Sequence, residues 1–149
     1  MLTKIRRRHT VQLKSCIPDH PAAFTLIEIM IVVAIIALLA SIALPNFLRA
    51  RKRAQATRML DDLRLIDSSL DLYAVENSKA GGDPASWEDL RPYLKKNTVL
   101  YNSGGADLLG NVINGSLNFS VDFTPKVNVL SFAALSDVAP SSFWSPFGP

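Results

Sequence analysis

The sequence predicts an α+β fold: a long, kinked N-terminal α-helix, half membrane and half amphipathic, packed on a small antiparallel β-sheet. Three observations predict it. From Phe24 to Leu44 the chain reads FTLIEIMIVVAIIALLASIAL, in which only Thr25, Glu28 and Ser41 are polar. Met59, Leu63, Ile66, Leu70 and Tyr73 then recur at intervals of four, three, four and three, which marks one face of a helix. Further on, Leu117, Phe119, Val121 and Phe123 alternate with Asn118, Ser120 and Asp122, the period of a half-buried strand. With 149 residues the chain suits one domain with a small core.

Residues 1–23 start basic and end in Ile-Pro-Asp-His-Pro-Ala-Ala, a stretch unsuited to a helix. A secretory signal also starts basic, but its apolar core is shorter and is followed by the small-residue cleavage site. Here the small pair Ala22-Ala23 precedes the apolar run. That run is long enough to cross a bilayer, and a soluble fold rarely accommodates its like in one helix. Pro45-Asn46 follows, and a proline there favours a kink. Both flanks keep the helical pattern, so Phe24 to about Ser78 reads as one helix of roughly 80 Å. Its polar face is basic over Arg49–Arg58 and acidic over Asp61–Glu76, and Gly81-Gly82 is expected to stop it.

The head follows. Ser86 is placed to cap a short helix, with Asp89 three residues on, and Pro92–Lys96 to form a separate turn. Asn114-Gly115 predicts a hairpin between Val112-Ile113 and the alternating strand, and Val127–Phe132 a third strand. The Pro- and aromatic-rich tail is expected to be irregular, held by Phe143, Trp144 and Phe147. The organisation is therefore 1–23, a basic leader; 24–45, a membrane helix; and 46–149, a head made of amphipathic helix 46–78 and a small α+β region 79–149.

Charge and reactive residues narrow the chemistry. The formal charge is +3, from 16 Lys+Arg against 13 Asp+Glu. Five of those bases and one acid lie in residues 1–23, so without them the charge is about −1. The basic character belongs to the leader, and no nucleic-acid partner is expected. Both histidines and the only cysteine, His9, His20 and Cys16, also lie there. Residues 24–149 then contain neither imidazole nor thiol, which excludes a disulfide scaffold and leaves acid-base or metal chemistry to scattered carboxylates.

Glu28 is the anomaly. A carboxylate in a membrane segment costs on the order of 2.5–3.5 kcal/mol, so it needs a function or a partner. One reading has it reach the interface one turn away. The other pairs it with an ammonium group made by cleavage before Phe24, most readily that of a neighbouring chain.

At these residues the sequence resembles the type IV pilins and the related pseudopilins of type II secretion. The resemblance rests on Ala23-Phe24-Thr25-Leu26-Ile27-Glu28, the apolar run and Pro45, with a basic leader before them. It implies a pilin-like fold, cleavage between Ala23 and Phe24 by a prepilin peptidase, and methylation of the new Phe24 amine. Glu28 would neutralise the N-terminus of an adjacent subunit as each is drawn from inner-membrane lipid into a homopolymer filament at an assembly platform. Pro45 would lie where the family's helix bends or melts. The family normally has Gly before the cut, and this chain has Ala23. The major pseudopilin's loop binds calcium; here Asp107, Asp122 and Asp137 are widely spaced, so no cofactor is expected, with calcium the one exception left open.

Arg49, Arg51, Lys52 and Arg53 form a block that fits a solvated face first, then the acidic face of a neighbouring subunit, with lipid headgroups or nucleic acid as further alternatives. Asn114-Gly-Ser116 and Asn118-Phe-Ser120 match a glycosylation triplet that is common by chance. Type IV pilus subunit is the first functional reading and type II pseudopilin the alternative. A signal-anchored extracytoplasmic enzyme or sensor is the contrasting class, disfavoured by the missing nucleophile-base pair. The family reading puts the leader in the cytoplasm and the head outside.

Overall fold

The structure, a computed structural model, describes residues 24–149. Residues 1–23, where the leader is expected, and with them Ala23, lie outside the described residues. The chain divides into two units, the first ending at Leu39 and the second running from Ala40 to Pro149. Helix α1, Leu26–Glu76, passes through both and is continuous through Pro45.

In the first unit α1 is apolar all round, and every side chain from Phe24 to Leu39 is exposed. An α-helix satisfies its own backbone hydrogen bonds, so such a surface suits lipid and does not suit water. By length and composition this helix can cross a membrane.

In the second unit the pattern becomes one-sided. Met59, Leu63, Ile66 and Leu70 are buried, with Ala56 and Leu60 on the same face, and Tyr73 packs against them. The 3-4 spacing therefore does mark the core face. The chain folds back over it through a series of short elements: strand β1 (Pro84–Ser86), helix α2 (Trp87–Leu90), helix α3 (Val99–Asn102), strand β2 (Asn118–Ser120) and helix α4 (Val129–Leu135). These bring Trp87, Leu90, Leu100, Phe119 and Leu135 onto the α1 stripe. The tail closes the core as the sequence predicts. Trp144 is fully buried and Phe147 nearly so, with the Trp144 Nε1–H given to the Ala139 carbonyl at 3.1 Å and the Phe143 ring edge-on to it at 5.4 Å.

Helix α1 stops before the glycines expected to end it. Ser78 takes the left-handed conformation (φ 50°) and Lys79 N–H reaches back to the Ala74 carbonyl at 2.9 Å, a C-terminal cap made without glycine. Gly81 has a different reason to be there, because a Cβ on it would fall 2.2 Å from an Asp122 carboxylate oxygen.

The sheet is smaller than the alternation suggests, and its pairing is different. β2 covers three residues and runs antiparallel to β1, with Pro84 opposite Ser120 and Ser86 opposite Asn118. Phe119 and Val121 are buried, but Asp122 turns left-handed (φ 66°), which ends the pleat and leaves Phe123 67% exposed. Asn114-Gly115 is a turn with both residues at positive φ, yet it does not join paired strands. Val112 bridges Ala106 instead, and Asn114 binds Lys126 in both directions, N–H to carbonyl at 2.9 Å and side-chain oxygen to N–H at 3.2 Å.

The expected third strand over Val127–Phe132 is helical from Val129. Asn128 caps it by accepting the Leu130 N–H at 2.8 Å, and its amide donates to the Val112 carbonyl at 2.8 Å. With that cap made, Ser131 and Leu135 share the inward face one turn apart, while Val129 and Leu130 are about two-thirds exposed. A cap residue inside an apolar run overrode the period-two reading.

Candidate assembly site

At the start of α1 the backbone N–H groups of the first turn need acceptors. Thr25 and Glu28 supply them in a reciprocal arrangement: the Thr25 hydroxyl accepts the Glu28 N–H at 3.3 Å, and Glu28 Oε2 accepts the Thr25 N–H at 3.2 Å. The Thr25 hydroxyl also lies 3.3 Å from the same carboxylate oxygen as a donor. This is a capping box, Thr-x-x-Glu, legible in Thr25-Leu-Ile-Glu28, a third role beside the interfacial and ion-pair readings of Glu28. Phe24 is 78% exposed just ahead of it. Phe24, Thr25 and Glu28 are thus together, at the exposed end of an apolar helix.

Pro45 lies inside α1. It brings no N–H to the helix ladder, the local reason for the expected weakness there.

The basic block is not uniform. Lys52 is held inside the second unit, its ammonium 3.0 and 3.1 Å from the two Asp137 oxygens. Arg49 and Arg53 border a shallow depression with Ala50, Asp137 and Val138, and Arg51 is exposed. Among the described residues the other ion pairs are Asp61 with Arg64 and Glu88 with Arg91. On the acidic half of the helix, burial is the main reason the Asp62 and Asp67 carboxyls titrate above the ordinary value. Arg58 partly offsets it at Asp62, and the Asp71 charge adds to it at Asp67.

The head's carboxylates serve its own chain. Asp107 accepts the Leu109 and Asn111 N–H groups, both at 2.9 Å, and the buried Ser131 hydroxyl; Asn111 donates its amide to Ser131 at 2.8 Å. This network explains a polar residue on the inward face of α4, which the sequence reading missed. Asp89 accepts the Ser86 N–H at 2.8 Å and its hydroxyl at 2.6 Å, and these bonds hold its carboxyl below the ordinary value. Among the described residues no three His, Cys, Asp or Glu side chains gather as a metal would require.

Comparison with known proteins bears on the exposed end of α1. A family model described as a prokaryotic N-terminal methylation motif matches residues 20–44. Residues 20–44 thus carry that motif, and the chain is similar to type II secretion core protein G and to a type IV pilus component. Part of the chain is similar to core protein G of the type II secretion system. In Dickeya chrysanthemi that protein is 35% identical over 76 residues, 51% of this chain and 48% of the relative. In Vibrio cholerae it is 38% identical over 55 residues, 37% of this chain and 38% of the relative. A type IV wide pilus major component of Thermus thermophilus is 41% identical over 63 residues, 42% of this chain and 48% of the relative. The chain spans about half the length of the curated relatives it matches. No solved structure matches it.

Proposed function

We propose that this protein is a structural filament subunit, made as a prepilin and polymerised through its N-terminal helix. One observation carries the reading: Phe24-Thr25-Leu-Ile-Glu28, with its ionisable side chain, heads a helix whose first half is otherwise apolar and exposed on every side. Lipid can cover such a surface in the waiting subunit, and other copies of the helix can cover it in a polymer. In this reading 1–23 is the cytoplasmic leader, 24–45 spans the inner membrane and 46–149 is the extracytoplasmic head. A prepilin peptidase cuts between Ala23 and Phe24 and methylates the new amine. Glu28 then neutralises that amine on a neighbour at the assembly platform, and Pro45 lets the helix yield as the subunits pack. The role is structural and non-enzymatic, and no cofactor is required.

The filament is a type IV pilus in the first form of this reading. Similarity to core protein G in several organisms supports the second form, a pseudopilus of type II secretion. N-terminal sequencing and intact mass of the protein from native membranes and from the sheared surface fraction test both. A chain starting at Phe24, heavier by one methyl group and present in the sheared fraction, is the pilus outcome. The same chain retained with the membranes is the pseudopilus outcome. A chain that still carries residues 1–23 would overturn both and favour an anchored protein.

A further inference from the structure

We propose that a second copy of this chain docks along the polar half of α1, its Asp67 and Asp71 facing Arg49 and Arg53 at an axial stagger of about five helical turns, ~27 Å. The inference rests on the proposed polymerisation and specifies a contact within it.

Two like-charged pairs stand on this helix. Arg49 and Arg53 are one turn apart, as are Asp67 and Asp71, and like charges at that spacing repel. Arg49, Arg53 and Asp71 are exposed and Asp67 is half-buried. None of the four takes part in the ion pairs of the described residues, which use Lys52, Asp137, Asp61, Arg64, Glu88 and Arg91. Among the described residues Asp67 has no ion-pair partner, and burial first and the Asp71 charge second raise its carboxyl above the ordinary value. Two like-charged pairs of opposite sign therefore stand outside the ion pairs of the described residues, and the one carboxylate that borders Arg49 and Arg53, Asp137, is already held by Lys52.

Their spacing gives them a shared direction. Asp67 follows Arg49, and Asp71 follows Arg53, by 18 residues. At 3.6 residues per turn this is about five whole turns, so both pairs lie on the same side of the helix. They are too far apart along one helix to meet, and a parallel copy displaced by that length brings them face to face. Lys52 is already engaged by Asp137, and Arg51, two residues from Arg49, points elsewhere around the helix. Of the four residues in the basic block, the contact therefore uses Arg49 and Arg53. The neighbour differs from the one Glu28 addresses, because reaching the Phe24 amine needs a stagger of about one turn. A helical polymer offers each subunit neighbours at several staggers.

Charge reversal in the full-length chain tests this. Arg49→Asp with Arg53→Asp, or Asp67→Arg with Asp71→Arg, sets like charges face to face, and each pair of changes should lower filament yield by about tenfold or more. Membrane insertion should be unchanged. All four changes together restore opposite charges and should restore filaments. Reversed chains that polymerise like the wild type would overturn the proposal. So would a fourfold variant that inserts but makes no filaments. Loss with the arginine changes alone, and none with the aspartate changes, would assign Arg49 and Arg53 to lipid headgroups.

A second measurement does not depend on reversed charges being tolerated. Residues 24–149 contain no cysteine. Arg53→Cys with Asp71→Cys, oxidised in assembled filaments, should give a ladder of cross-linked chains, whereas Arg53→Cys alone should not. No ladder, or the same ladder from the single variant, overturns the contact. If the wild type itself forms no filament, the polymerisation reading has failed, and the docking contact with it.

Discussion

Residues Leu26–Leu48 and Arg49–Glu76 share one backbone geometry and differ in what surrounds them. The first stretch has no inward face, and its side chains are exposed throughout. The second has an inward face of Ala56, Met59, Leu60, Leu63, Ile66 and Leu70, covered by the protein's own short elements. Burial on one stripe removes apolar area from water at about 25 cal/mol per Å² and fixes a folded head. An all-round apolar surface has no such internal solution and depends on lipid or on other chains. One helix thus combines a part that completes itself with a part that needs an exterior, and the two should respond to different substitutions.

The sharpest break between them is expected at Glu28. Glu28→Ala should abolish filaments while leaving membrane insertion and head stability unchanged, as read by sheared-fraction yield and by denaturation of the full-length protein in detergent. Trp144→Ala should do the reverse in its first effect, lowering head stability by about 3–5 kcal/mol because it opens a cavity at a fully buried site. By contrast Ile36→Ala, on the exposed apolar half, should change that stability by no more than about 0.5 kcal/mol.

Smaller effects sharpen the picture within the head. Ser86→Ala removes the hydroxyl that Asp89 accepts from at the α2 cap and should cost about 1 kcal/mol. The same cap gives a pH signature. The Asp89 carboxyl is held below its ordinary value of 3.8, so its contribution is present above that value and is lost as pH falls through the lower folded one. Ser86→Ala should therefore flatten the acid limb of the stability profile. Asp62 has the opposite sign: burial raises its value, so stability present at acid pH is lost as pH rises through it, and Asp62→Asn should be slightly stabilising at neutral pH. The smallest effect belongs to Lys52→Ala. That pair is about half exposed, and its loss should cost about 0.2–1 kcal/mol, fading as salt is added.

The two regions also differed in how far their sequences could be read. The apolar run and the 3-4 stripe are long periodic signals, and both became helix where they were expected, with Met59, Leu63, Ile66 and Leu70 buried. The Ser86–Asp89 cap and the anchoring role of Trp144 and Phe147 were legible because each depends on residues close in sequence or on large apolar side chains. The region 112–135 was not. There Asn128 caps a helix inside a run that alternates like a strand, and Asn114 binds Lys126, which is twelve residues away, in place of closing a hairpin. Such outcomes depend on side-chain hydrogen bonds across the fold, which periodicity does not register. At the assembly site the residues were legible and one of their bonds was not, because the same Thr-x-x-Glu spacing serves a cap as well as a membrane motif.

That bond changes what kind of object Glu28 is. Glu28 Oε2 already accepts from the Thr25 amide and hydroxyl, so the carboxylate enters an apolar medium with part of its hydration replaced by its own chain. Oε1 accepts no hydrogen bond within the described chain, so a newcomer's ammonium can add to the existing bonds without displacing them. In the proposed filament, recruitment of the next subunit would resemble the filling of a half-empty coordination shell more than the rescue of a bare charge.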